Sequence, residues 1–390
     1  MSLPSVRRAG AAVLGVLMAV GGTALTAPAA AAPPERVAVI VTLTPGSDAV
    51  AESRRAAGSG GSVAHVYRDV VRGFAATLPA PAVASLQRNP RVALVEPDGP
   101  VRIAGSQTSA TWGLDRIDQR TATLNGTYNY PATGSGVRAY VVDSGVAAHG
   151  EFDQRAGGYD VFGAPGSGWT DCNGHGTHVA GTLAGNVHGV AKDATVVPVR
   201  IMDCAGTGSL SGVIAGLDWI VRDHGSGPAV ANLSLGGPAS STLDSAVGRV
   251  ISDGVTVAVA AGNSNADACN TSPARVKAAL TTGATDRTDR RAAFSNYGSC
   301  LDLFAPGVAI TSAWPVAGST TGTNTVSGTS MASPHVAGAA AVLLQQRPTM
   351  TPSAVATELV RASTKQVVSS KGSNSPDRLL GVVAYGRTLS

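Results

Sequence analysis

Aromatic side chains are scarce in this 390-residue chain, at 4%, and charged ones make up only 14%. So little charge argues against a solvated, disordered polymer, while 44% apolar residues and 48 glycines suit a compact fold with close backbone approaches. No internal repeat is present, and no low-complexity block outside the N-terminal region. A basic partner-binding face is also missing. The formal net charge of +4 comes from residues 1–104, which hold ten Lys and Arg against six Asp and Glu and leave 19 of each sign in the remainder. Nucleic acid is therefore not an expected partner.

Cysteines are few: Cys172, Cys204, Cys269 and Cys300, all after residue 104. An apolar run from Ala9 to Leu25 follows Arg7 and Arg8, contains Gly21, Gly22 and Thr23, and leads into the small residues Ala27 to Ala32 instead of basic anchors. That make-up predicts a signal peptide over residues 1–32, removed on export, and not a membrane anchor. An even cysteine count behind an export signal predicts two disulfides. Three pairings are possible. The sequential one would close loops about thirty residues long, each contributing roughly 3 to 4 kcal/mol on the chain-entropy estimate.

Residues 33–104 read as a small α+β unit: strands at Val37 to Leu43, Val70 to Leu78 and Val92 to Glu96, with helical stretches at Ala49 to Ala57 and Ala82 to Arg88. Ala104 to Ala110, all small or polar, reads as a linker open to proteolysis. From there to residue 390 the pattern is α/β. Apolar β-type runs at Val137 to Val142, Thr195 to Ile201, Val230 to Leu235, Val255 to Ala261 and Leu280 to Thr285 alternate with helices starting near His175, Ser209, Thr242 and Ser330. This predicts a mostly parallel sheet with helices on both faces. Active groups in such sheets gather beyond the carboxyl ends of the strands, where Asp143, Ser234-Leu235-Gly236 and Gly262-Asn263 stand.

Three blocks carry chemistry. They are Asp143-Ser144-Gly145, then Asn173-Gly174-His175-Gly176-Thr177-His178-Val179-Ala180-Gly181-Thr182, then Gly328-Thr329-Ser330-Met331-Ala332-Ser333-Pro334-His335-Val336-Ala337-Gly338. A serine hydroxyl is a poor nucleophile near neutral pH and needs a base, which in turn needs an orienting carboxylate. The order Asp, His, Ser sets this chain apart from esterases, whose Ser comes first in Gly-x-Ser-x-Gly; here position 332 is Ala. Zinc is disfavoured at His175 and His178, because no acidic base lies between them and no third ligand follows at the spacing zinc proteases use. A binding protein that lost turnover is disfavoured because no essential group is missing.

Together the three blocks resemble the subtilase family of serine proteases, over about Trp112 to Leu380, and the cysteine placement is most similar to its proteinase K branch, aqualysin-type members in particular. Sequential pairing, Cys172 with Cys204 and Cys269 with Cys300, is then the expected one. The resemblance implies Ser330 as nucleophile, His175 as general base and then acid, Asp143 as its orienting carboxylate and Asn263 as oxyanion-hole donor. It implies an extended peptide held between Gly206-Thr207-Gly208-Ser209 and Ser234-Leu235-Gly236, with Ala260, Ala261 and Gly262 walling a roomy, uncharged pocket for apolar or aromatic residues before the cut. Asp302, with backbone carbonyls such as those of Lys277 and Ala279, would hold a structural calcium; no cofactor is expected in catalysis. Residues 33–104 would be a ferredoxin-like inhibitory pro-domain, cut off by the enzyme itself. The expected product is a secreted, monomeric endopeptidase acting on polypeptides, with no membrane association once the signal is gone.

Overall fold

The computed structural model describes residues 35–98, 105–163 and 168–382. The expected signal (1–32) lies outside the described residues, as does the boundary residue Ala104. The chain divides into two compact units, one ending at Val101 and one beginning at Arg102.

In the first unit, strands β1 (Arg36–Leu43), β2 (Ser62–Tyr67), β3 (Gly73–Pro79) and β4 (Val92–Pro97) form an antiparallel sheet in the order β2-β3-β1-β4. Helices α1 (Ala49–Gly58) and α2 (Ala80–Leu86) complete it. The period-two pattern of β1 buries Val39, Val41 and Leu43 against Phe74, Ala76, Leu78 and Ala56 of α1, and Asp48 caps α1 by accepting from the amides of Val50 and Ala51. Strand β2 was not expected from the sequence. Only Val63 of its side chains packs against this core, so it carries no alternating apolar signal.

The second unit opens with β5 (Gly105–Thr108), paired antiparallel to β6 (Thr127–Tyr130), with α3 (Trp112–Ile117) between them. This corrects the linker reading of 104–110: Gly-Ser-Gln-Thr lacks apolar alternation, yet its backbone finds partners in β6, and Gly105 admits the Tyr130 ring where a Cβ would lie 2.1 Å from it. The main strands follow: β7 (Arg138–Asp143), β8 (Tyr159–Asp160), β9 (Thr195–Arg200), β10 (Ala229–Leu233), β11 (Gly237–Pro238), β12 (Thr256–Ala260), β13 (Thr271–Ser272), β14 (Leu280–Thr285) and β15 (Leu303–Pro306). A hairpin, β16 (Ile310–Ala313) and β17 (Thr323–Val326), and two short edge strands, β18 (Thr364–Lys365) and β19 (Arg378–Leu379), complete the set. Nine strands form one sheet in the order β18-β19-β15-β14-β12-β10-β7-β9-β8, parallel except for the β18 edge.

Both faces of this sheet are covered. Alternate residues of β7 serve opposite layers: Ala139 and Val141 join the core with α4 (His175–Ala184), while Tyr140 and Val142 join that of α5 (Leu210–His224) and α6 (Ser241–Ser252). Each buried Val or Leu contributes roughly 1.5 to 3 kcal/mol, so the strand ends bearing functional groups rest on a stiff base. Helix α7 (Thr329–Gln346) lies in the α4 layer, its small residues allowing tight packing; a Cβ on Gly338 would meet Val190 Cβ at 2.7 Å. Helix α8 (Pro352–Ala362) follows, capped by Thr351.

Candidate active site

Asp143 ends β7 fully buried, and its Oδ1 accepts from its neighbour's amide, Ser144 N, at 2.8 Å and from His175 Nδ1 at 2.7 Å. A carboxylate can only accept, so Nδ1 carries the proton and Nε2 is left free to take one. His175 opens α4 directly after Gly174, whose φ of +99° suits glycine and whose Cβ position is filled by the Trp314 ring, 2.5 Å away. Gly176 is equally constrained: a Cβ there would lie 2.1 Å from Gly145 O, so only glycine lets the helix start abut the 143–145 turn.

Burial works against a charged imidazole at His175, but the charge and hydrogen bond of Asp143, with the charge of Asp171 behind it, outweigh that and raise its pKa. His178 and His335 go the other way. Burial pushes both down to about 4, so His178, one turn along the same helix, stays neutral and does not oppose an imidazolium.

Ser330 sits in the first turn of α7, where the hydroxyl donates to Ser234 O at 3.2 Å and the carbonyl accepts from Ser234 Oγ at 2.7 Å. That carbonyl is free because Pro334, four residues on, has no N–H to offer it. Ser234 Oγ in turn accepts from Asn232 Nδ2, whose Oδ1 takes the Ser333 hydroxyl, so buried bonds tie β10 to α7. The structure therefore joins Asp143 to His175 directly. It holds the Ser330 hydroxyl on the carbonyl of Ser234.

Asn263 follows Gly262, itself at φ +100°, beyond the carboxyl end of β12. Its Oδ1 accepts from Thr329 N at 2.8 Å and Thr329 Oγ1 at 2.9 Å. The backbone N–H can only donate, which fixes the amide orientation and leaves Nδ2 unbonded, on the Ser330 side: a Cβ on Gly328 would lie 3.7 Å from Nδ2 and 3.6 Å from Ser330 N. Both donors thus lie within 4 Å of one point beside Gly328, and Asn263 and Ser330 line the same cleft.

A cleft of about 1000 Å³ is lined by His175, Gly206 to Leu210 and Ser234 to Gly236. A second, of about 310 Å³, shares Ser234 to Pro238 with it and is lined further by Ala260 to Asn263 and Ser330, with no charged side chain. Every expected peptide-contacting residue lines one cleft or the other. Cys172 is bonded to Cys204 and Cys269 to Cys300. The first bridge, with Asn173 Nδ2 donating to Cys204 O at 3.1 Å, ties the turn before His175 to the cleft edge at 206–209.

Asp302 stands apart from this site. Its Oδ2 accepts from Thr281 N at 2.8 Å, and burial pushes the carboxyl up to about 6. Among the described residues, no group of three or more His, Cys, Asp or Glu side chains is placed to hold a metal ion.

Three contributors escaped the sequence reading. Thr329 orients Asn263; Asn296 accepts from Ser264 N and Ala266 N while donating to Ala261 O, clamping the loop that carries Asn263; and Asp171 organises the turn before His175. Only Asp171 had a local signal, a short acidic side chain placed just ahead of a helix start.

Residues 134–383 match the model of the subtilase family, and residues 38–104 match that of the peptidase inhibitor I9 family. The chain belongs to the subtilase family. This subtilase is similar to an extracellular serine proteinase of Thermus sp. (strain Rt41A), 58% identical over 323 residues that cover 82% of this chain and 78% of that one. Proteinase R of Parengyodontium album is 45% identical over 290 residues, 73% of each chain. Among solved structures, a cold adapted subtilisin-like serine proteinase matches with a TM-score of 0.68 and 51% identity, covering 71% of this chain and 100% of that one. The subtilase is thus a serine proteinase of the proteinase K branch, with a subtilisin-like α/β fold and an I9 propeptide unit at its N-terminal side.

Proposed function

We propose that this subtilase is a secreted endopeptidase made as a precursor: a signal over 1–32, an inhibitory pro-domain over 33–104 and a monomeric peptidase over 105–390. Ser330 attacks the peptide carbonyl, having turned from Ser234 O to His175 Nε2, which takes its proton and later delivers it to the leaving amine. Asp143 holds the Nδ1 tautomer and stabilises the imidazolium; Asn263 Nδ2 and the Ser330 amide receive the oxyanion. The observation that carries this reading is the 2.7 Å bond from His175 Nδ1 to a fully buried carboxylate, with His175 lining the larger cleft and Asn263 and Ser330 lining the smaller one that shares Ser234 to Pro238 with it. Extracellular relatives support secretion. Among the described residues, no helix is long and apolar enough to cross a membrane.

The uncharged lining of the 310 Å³ cleft supports apolar or aromatic residues before the cut. Stoichiometric fluorophosphonate should abolish casein digestion. Of two peptide anilides differing only in the residue before the anilide, the phenylalanine one should be cleaved about tenfold or more faster than the glutamate one. Casein digestion that survives the reagent, or ester turnover without peptide turnover, would refute the assignment.

Asp302 is the single carboxylate this site would offer a hard cation: it is buried, accepts from Thr281 N and feels the positive charge of Arg378. With the carbonyls of Lys277 and Ala279 it would hold calcium, an ion that would stabilise the fold and take no part in bond cleavage. Calcium at 100 times its dissociation constant should stabilise by about 2.7 kcal/mol and raise Tm by several degrees, with chelator reversing the gain. A Tm indifferent to both excludes the site.

A further inference from the structure

The carboxylate of Asp171, itself buried, accepts five hydrogen bonds. Its Oδ1 takes Ser144 Oγ at 3.0 Å, Asn173 N at 3.0 Å and Gly174 N at 2.8 Å; its Oδ2 takes Thr177 N at 2.9 Å and Thr177 Oγ1 at 2.6 Å. These donors lie on both sides of the Asp143–His175 pair. Ser144 follows Asp143 directly and its hydroxyl also accepts from Gly176 N at 2.9 Å, while Thr177 Oγ1 accepts from Ala147 N at 2.9 Å. One carboxylate therefore stitches the 144–147 turn to the first turn of α4, and the imidazole is mounted on the seam.

We propose that Asp171 is a second carboxylate of the active site, a positioning residue that fixes the His175-bearing turn against the Asp143-bearing turn. A neutral side chain could keep some of the bonds but not the charge. Among the described residues, the charges that act on His175 are those of Asp143 at the end of β7 and Asp171 ahead of α4, while His178 on α4 itself is kept neutral by burial. The Arg200 guanidinium, at the end of β9, bonds Asp160 at 3.1 Å and reaches Cys172 Sγ at 3.6 Å, and its charge is not among those acting on His175. Among the described residues, Asp171 is the one negative group besides Asp143 that raises the His175 pKa.

The proposal rests on His175 being the base for Ser330, a premise read separately in His175→Ala, whose peptidase activity should vanish at every pH. The test is the pH profile of kcat/KM for the full chain after secretion and maturation, on a peptide anilide, with active sites counted by fluorophosphonate. In Asp171→Asn the acid limb should move down by about 0.5 to 1 pH unit, because removing a negative charge makes the imidazolium easier to deprotonate, and kcat should fall roughly 10- to 100-fold with KM within about threefold. A residue that merely held the fold together would lower the amount of active protein and leave the limb in place. Should Asp171→Asn fail to accumulate, Thr177→Val decides: it keeps the charge and removes two bonds of the seam, the one to Asp171 Oδ2 and the one from Ala147 N, so kcat should drop roughly 3- to 10-fold with the acid limb unmoved, and a parental kcat would overturn the proposal. A dead His175→Ala with an unmoved limb in Asp171→Asn overturns the proposal alone; an active His175→Ala removes the premise and the proposal with it.

Discussion

Ser330→Ala should lower kcat by about 10⁶-fold, the scale on which loss of the nucleophile acts in subtilisin, a member of this family. The same variant should accumulate as an uncut precursor still carrying residues 33–104. The reason is local. In the proposed mechanism the α7 start offers two groups to a peptide carbonyl, the hydroxyl to its carbon and the Ser330 amide to its oxygen, and alanine removes only the first; the helix, its Pro334 and the Ser234 Oγ bond to the 330 carbonyl all survive. Folding should be unharmed, so the precursor should be soluble and share the parental Tm. Trace parental enzyme added in trans should cut it, which separates a missing nucleophile from a misfolded chain. Maturation of Ser330→Ala in the absence of any other protease would exclude self-processing by this residue.

Asn263→Ala should lower kcat by about 10² to 10³-fold, roughly 3 to 4 kcal/mol of transition-state stabilisation, with KM little changed. The split follows from geometry. Asn263 spends its oxygen on Thr329 N and Oγ1, and in the proposed mechanism its Nδ2 donates only when an oxyanion forms, so the donor would serve the transition state more than the bound peptide. Loss of the Oδ1 partner also frees two Thr329 donors, predicting a small fall in stability alongside. Equal kcat in variant and parent would exclude the donor role, and a large KM change with constant kcat would reassign Asn263 to substrate binding.

Much of this arrangement is legible in the sequence for a physical reason: residues at strand ends and helix starts in a parallel sheet fall on one edge, which is where the strand and helix order puts Asp143, His175, Asn263 and Ser330. Apolar runs marked β7, β9, β10, β12 and β14 because both of their faces are covered. Short strands did not announce themselves. β5 is a polar tetrapeptide held by backbone bonds, β2 packs a single side chain on its core, and the β16–β17 hairpin pairs exposed threonines. Helix α8 is a plainer omission, since Thr351 before Pro352 and the buried Val355, Leu359 and Ala362 give a cap, a first-turn proline and a helical apolar face.

Residues that act through other residues were the hardest to read. Asp171 works by accepting from five donors spread over residues 144 to 177, and Asn296 by gripping backbone at 261, 264 and 266. Neither spacing is periodic. Their roles depend on which loops the fold brings together, and no local pattern encodes that.

The most direct measurement is to map the fluorophosphonate adduct by mass spectrometry while counting remaining peptidase activity on the same sample. One adduct per molecule on Ser330, with activity falling in proportion and labelling abolished in His175→Ala, is the expected result. An adduct on any other residue, or full peptidase activity in protein wholly modified at Ser330, would contradict a mechanism in which the hydroxyl of Ser330 is activated by the Asp143-bound imidazole.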